Sequence, residues 1–186
     1  MIIDSHQHFW NYNPTRDKWI NSSMKILRKD FLPQHLKPIL DDNGIDGCIA
    51  VQADQSENEN KFLLDCAENN LFIKGVVGWI DLKGKNIDNR LDFYKTKPLF
   101  KGVRNIVQDE HDNYLLRSDI QNGISKLSSY NLTYDLLIFP RQLPAAIALV
   151  EKFPKQIFIL DHIAKPNISN SKAENWKKNI NVLSKF

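Results

Sequence analysis

Short runs of β-branched and apolar residues recur along this chain, and between them apolar side chains return every three or four positions. Six such runs can be read, at positions 2–6, 47–52, 73–80, 102–107, 133–138 and 157–161. Strand-length runs that alternate with helical patterns predict βα units feeding a parallel sheet, not a sandwich.

Local punctuation supports the helices. Ser56 and Glu59 form an S-x-x-E capping pattern ahead of Phe62, Leu63 and Ala67, and Asn69-Asn70 closes the stretch. Ser118 is placed to cap a helix carrying Ile120, Ile124 and Leu127, and Pro144 suits the first turn of one carrying Ile147, Leu149 and Val150. Ser171 and Glu174 repeat the capping pattern before Trp176, Ile180 and Leu183, which share a face. The segment 9–30 breaks the pattern. It is rich in Asn, Pro and aromatics and reads as a long loop over one end of the sheet, the kind of loop that tends to be functional.

Chemistry concentrates at the ends of the predicted strands. In Asp4-Ser-His-Gln-His8 the alternation of a strand puts Asp4, His6 and His8 on one face, so two imidazoles can converge on one metal ion. The alternative is a pair of surface histidines. His162 follows the sixth run and is expected to share a face with Phe158 and Leu160, with Asp161 pointing away, which makes it a candidate to join His6 and His8; alone, it reads equally as a satisfied buried histidine. Arg104 lies on the face of Gly102 and Ile106, so an apolar strand aims a guanidinium inward. Such a group awaits a polar or anionic substrate or pairs with a carboxylate, for which Asp4, Asp54 and Asp81 are the candidates. Trp10, Gln52, Trp79 and Asp81 are placed to line the same mouth, although Trp79 reads first as simple packing. His35 and His111 read as solvated bystanders.

Composition narrows the picture without changing it. Hydrophobic residues make up 42% and charged residues 25%, ordinary globular values. The 25 basic residues against 22 acidic ones are scattered, which gives no nucleic-acid footprint. Cys48 and Cys66 have no CxxC spacing, and no apolar run approaches the roughly 20 residues of a spanning helix, so a soluble, reduced, cytoplasmic protein made without a leader is expected. No Gly-rich phosphate loop, G-x-S-x-G elbow or H-E-x-x-H pattern occurs, which argues against nucleotide binding, serine-hydrolase and zincin chemistry.

Taken together, Asp4-Ser-His-Gln-His-Phe-Trp10, Val51-Gln-Ala53, Gly75-Val-Val-Gly-Trp-Ile-Asp-Leu82, Lys101-Gly-Val-Arg104, Tyr134-Asp-Leu-Leu137 and Asp161-His-Ile-Ala-Lys-Pro166 resemble the sugar-acid lactonases of the amidohydrolase 2 family, the L-fucono- and L-rhamnonolactonase group. The resemblance covers essentially the whole chain, in order. It implies an α/β fold, a TIM (β/α)₈ barrel of the metal-dependent hydrolase type, and hydrolytic opening of the lactone of a sugar acid. It also implies that His6, His8 and His162 surround a zinc ion or the substrate carbonyl, that Arg104 stabilises the developing anion, and that Trp10 and Gln52 contact the sugar. Some members of the group work without metal. Arg104 and Asp135 stand where the wider superfamily offers a lysine and a histidine, which speaks against a two-metal site. The family pattern continues for two further strands and an acidic general base, so positions 1–186 are expected to form one barrel domain truncated after the sixth βα unit. Three readings follow from the resemblance: a lactonase, a decarboxylase of the same superfamily, and a non-catalytic remnant that binds the sugar acid. An oligomer is compatible with each.

Overall fold

In the computed structural model, residues 1–168 and 174–186 are described. The strand and helix runs fold as read. The strands are β1 (Ile3–Gln7), β2 (Gly47–Val51), β3 (Ile73–Gly78), β4 (Phe100–Ile106), β5 (Thr133–Leu137) and β6 (Phe158–Leu160), and the helices are α1 (Pro33–Asp42), α2 (Glu57–Asn69), α3 (Ile87–Lys95), α4 (Ser118–Leu127), α5 (Leu143–Lys152) and α6 (Glu174–Leu183). Each strand is followed by a helix in the chain, so strand succeeds strand in one direction. The chain divides into two compact units, Met1–Gly78 and Trp79–Phe186.

In the first unit β1 pairs parallel with β2 and β2 with β3. Cys48, Ala50 and Val51 of β2 are buried together with Val76 and Val77 of β3, and α2 buries Leu63, Leu64 and Ala67. Gly47 opens β2 because the backbones pass so closely there that a Cβ would overlap the Phe72 carbonyl oxygen. The two ends of the segment 9–30 are drawn together by an antiparallel bridge, in which Trp10 and Phe31 exchange N–H···O bonds of 2.9 Å each way and their rings stack at 4.6 Å. The segment includes a 3₁₀ turn, Ser22–Leu27, started by the Asn21 side chain, which accepts the Ser23 N–H.

In the second unit β4 pairs parallel with β5 and β5 with β6. Ile120, Ile124 and Leu127 of α4 are buried, as are Leu143, Ala146 and Leu149 of α5. Gly123 lets α4 approach the backbone at Leu82, where a methyl group at Gly123 would overlap the Leu82 carbonyl and come within 2.7 Å of its Cβ.

Two capping expectations need correction. Ser56 does start α2, its Oγ accepting the Glu59 N–H at 3.2 Å, but the Glu59 carboxylate accepts the Ala53 N–H at 3.0 Å and so ties α2 to the chain leaving β2. Ser118 is the first helical residue of α4, not its cap; Arg117 takes that place, with no side-chain cap bond. Ser171 lies outside the described residues, and α6 begins at Glu174. Pro144 falls in the first turn of α5 as read. Among the described residues no helix is long and apolar enough to cross a membrane.

Candidate active site

Two groups of polar side chains form at strand ends, one in each unit. In the first unit, β1 ends at Gln7 and His8 comes directly after it, and both His6 and His8 are half-buried. Their rings meet edge to face at 4.9 Å, with Nε2 of one 3.2 Å from Nε2 of the other. His8 Nδ1 lies 2.7 Å from the carbonyl oxygen of Val51 at the end of β2. A carbonyl can only accept, so Nδ1 carries a hydrogen and Nε2 of neutral His8 keeps its lone pair. The proton shared across the 3.2 Å gap is then held at His6 Nε2.

This donor set fits a divalent metal. Two nitrogens bound to tetrahedral zinc at about 2.0–2.1 Å stand about 3.3–3.4 Å apart, close to the spacing seen, and the Val51 carbonyl is the outer partner that orients a metal-binding imidazole. Asp4 turns one carboxylate oxygen back to the His6 N–H at 3.1 Å. Cys48 and Cys66 are unsuited to nucleophilic use, since burial, reinforced by nearby carboxylates, pushes their thiols up to about 12 and about 11.

In the second unit Arg104 is buried and its Nη1 donates to Asp161 Oδ2 at 2.9 Å, with 4% and 1% of the two side chains exposed. The partner is therefore Asp161, not Asp4, Asp54 or Asp81. The expectation that Asp161 points away is overturned, because regular alternation stops at the end of the sixth run. β6 stops at Leu160, and His162, Ile163, Ala164 and Lys165 all adopt left-handed backbone, with φ of 51°, 49°, 59° and 50°. Strand alternation ends there, with Asp161 buried and the neighbouring His162 exposed. The turn is tied down at Ile163, whose carbonyl accepts the indole N–H of Trp176 at 2.8 Å, and at Lys165, whose ammonium donates to Gln108 Oε1 at 2.7 Å and stands 5.8 Å from the Phe139 ring centre. Burial, followed by the charge of Arg104, lowers the Lys165 pKa below the usual lysine range. Neither Asp161 nor Lys165 stands out in sequence, although both lie in the Asp161–Pro166 motif.

The remaining candidates scatter in role. Gln52 is fully buried and extends the β2 ladder, its N–H donating to Val77 at 2.8 Å. Trp10 packs on Phe31 and buries an indole N–H that meets no acceptor among the described residues. Trp79 is half-buried just after β3. Asp81 is exposed and organises a turn, its carboxylate accepting the Lys83 N–H and its carbonyl the Gly84 N–H. His35 is exposed and caps α1 by accepting the Leu32 N–H at 3.1 Å, and His111 is exposed in a loop.

The model of the Amidohydrolase family matches residues 3–186. An L-fucono-1,5-lactonase of Burkholderia ambifaria is 32% identical over 175 residues, covering 94% of this chain and 60% of that protein. One from Burkholderia multivorans is 36% identical over 169 residues, covering 90% of this chain and 57% of that protein. The chain thus spans little more than half the length of these relatives. A crystal structure of a Burkholderia multivorans amidohydrolase with bound zinc matches with a TM-score of 0.94 at 32% identity, covering 100% of this chain and 66% of that one. Fold and sequence agree, and the chain belongs to the amidohydrolase family.

Proposed function

We propose that this chain carries the metal-binding histidines of a hydrolase that opens the lactone ring of a sugar acid. The observation that carries the reading is the His6–His8 pair: two Nε2 atoms 3.2 Å apart, one ring locked in its tautomer by the Val51 carbonyl. The L-fucono-1,5-lactonase relatives support lactone as the substrate class.

Opening a lactone requires water to attack the ring carbonyl as it gives up a proton, while negative charge gathers on the carbonyl oxygen. A divalent ion held by His6 and His8 would supply Lewis-acid polarisation. The protein's own part is to keep the His8 lone pair directed away from Val51 and to hold a proton at His6 Nε2 when no ion is present. Arg104 and His162 enter the proposal as groups that stabilise charge on the carbonyl oxygen. Trp10 and Gln52 enter as sugar contacts.

The test is acid release from fucono-, rhamnono-, galactono- and xylonolactones, with and without added zinc and followed beside zinc content, using this chain beside one extended through the two further strands and the acidic base that the family pattern carries. Hydrolysis is expected, with His8→Ala losing both zinc and turnover. Arg104→Lys and His162→Gln are each expected to lower kcat about 10²-fold with the fold retained. Absence of lactone hydrolysis by both forms, folded and supplied with zinc, refutes the reading, and unchanged turnover in either of these last variants removes that residue from the mechanism.

A further inference from the structure

The first unit contains a second feature that the histidine pair does not use. A cavity of about 330 Å³ opens where the segment 9–30 meets the chain between β2 and α2. Its volume lies at the lower end of the range for small-ligand sites, about 300–1,000 Å³. Asn11 and Arg16 form one wall; Asp54, Ser56, Asn58 and Glu59 form the other, with Phe62 as the apolar side. Both walls start near His8. Asn11 is three residues beyond it, and Asp54 is three residues beyond Val51, the residue whose carbonyl meets the His8 ring. Three residues of extended chain reach at most about 11 Å, so the cavity lies within a sugar's length or two of the histidine pair.

The walls are built rather than incidental. Asp17, 7% exposed, receives Arg16 in a fork, Nε to Oδ1 at 2.7 Å and Nη2 to Oδ2 at 2.9 Å, and also accepts the Asn13 N–H at 2.8 Å. Arg16 Nη2 further donates to the Asn11 carbonyl at 2.7 Å, and Asn13 Oδ1 accepts the N–H groups of Thr15 and Arg16. Opposite, Ser56 Oγ donates to Asp54 Oδ2 at 2.6 Å while accepting the Glu59 N–H, and Glu59, 4% exposed, is held by the Ala53 N–H. Groups fixed in this way bind without first being ordered.

The mixture of groups selects the ligand. A free anion would meet Asp54 and Glu59, and a free cation would meet Arg16. The side-chain amides of Asn11 and Asn58, and Nη1 of Arg16, have no hydrogen-bond partner among the described residues. Amides and carboxylates side by side offer donors and acceptors in alternation, the pattern that hydroxyl groups satisfy because each both gives and takes a hydrogen bond. Phe62 offers an apolar face to C–H groups.

We propose that this cavity is the subsite for the hydroxyl-bearing carbons of the sugar acid, and that Asn11, Arg16 and Asn58 read their stereochemistry. This rests on the lactone reading and supplies the specificity element that the histidine pair lacks.

Calorimetric titration with L-fuconate, the ring-opened acid, tests it, with hexanoate as a ligand of equal chain length bearing no hydroxyls. The protein is expected to bind L-fuconate and to bind hexanoate at least tenfold more weakly. Asn11→Leu and Asn58→Leu, both at exposed positions, should each weaken L-fuconate at least tenfold, or about 1.4 kcal/mol, while Asn58→Gln, which keeps the amide, should lose less. Equal affinity of the leucine variants for L-fuconate, equal affinity of the protein for the two ligands, or no binding of L-fuconate overturns the subsite. Lactone hydrolysis in the same preparation keeps the two readings apart. Turnover with unaltered affinity in the leucine variants refutes only the subsite. Selective L-fuconate binding lost in those variants, without turnover by the parent protein, supports a polyol subsite and refutes only the lactonase.

Discussion

Replacing Arg104 by Met removes one half of an ion pair whose two side chains are 4% and 1% exposed. The methionine fills much of the arginine's space, so the main effect is electrostatic: the Asp161 carboxylate stays behind, buried, without its guanidinium. Breaking a buried pair from one side destabilises by about 3–5 kcal/mol, whereas an exposed pair such as Lys61–Asp65 is screened by water and contributes little. Removing both charges should do far less harm, because the desolvation of two ions is then no longer required. Urea unfolding of Arg104→Met, of Asp161→Leu and of the double variant measures the coupling directly, provided the denaturant slope stays constant. The single variants are expected to lose about 3–5 kcal/mol each and the double variant markedly less than their sum. A loss below about 1 kcal/mol in Arg104→Met, or strict additivity in the double variant, would falsify the account of Arg104 and Asp161 as a buried, mutually dependent pair.

Other contacts lead to further outcomes. Gly123→Ala should destabilise, by about 1–3 kcal/mol in thermal or urea melts, although alanine is intrinsically the better helix former by about 1 kcal/mol, because the new methyl group meets the Leu82 backbone; a stabilised variant would show that α4 can move away freely. Ser56→Ala should lose about 0.5–2 kcal/mol through the start of α2, and an unchanged melt would count against the cap. Burial opposes ionisation of Asp17, but the Arg16 hydrogen bonds, the Asn13 N–H and the Arg16 charge together hold its carboxyl below 3.8. A depressed carboxyl stabilises the fold above its unfolded pKa and loses that contribution as pH falls through the folded value. The stability difference between the parent and Asp17→Asn should therefore be constant near neutral pH and shrink below about pH 4; a difference that grows on acidification would contradict the sign.

Strand runs were legible because each is short, β-branched and bounded by turn residues, and all six appear within two residues of the positions read. The His6–His8 spacing was equally legible, since a strand of period two leaves little choice about which side chains share a face. What the sequence hid was of two kinds. One is non-local: Arg104 lies 57 residues from Asp161, and no periodicity distinguishes that carboxylate from Asp4, Asp54 or Asp81. The other is backbone geometry. Extending alternation through the Asp161–Pro166 motif pointed Asp161 away, and only the left-handed turn, formed without a single glycine, lets that carboxylate be buried against Arg104. The Arg16–Asp17 fork and the Asp54–Ser56–Glu59 links leave no trace in sequence because each joins ordinary polar residues in segments that carry no regular pattern.

The left-handed turn has a consequence for how the protein can be improved or worn down by mutation. Left-handed backbone disfavours residues with a Cβ by about 1–2 kcal/mol each, and here four such residues stand in a row, of which Ile163 is β-branched and Ala164 is fully buried. Glycine at these positions would relieve the penalty, so a search for thermostable variants should be drawn to this segment. The same relief would loosen the backbone that holds Asp161 against Arg104 and sets Lys165 against Gln108. Residues 162–165 are thus where selection for robustness and selection for activity should pull in opposite directions.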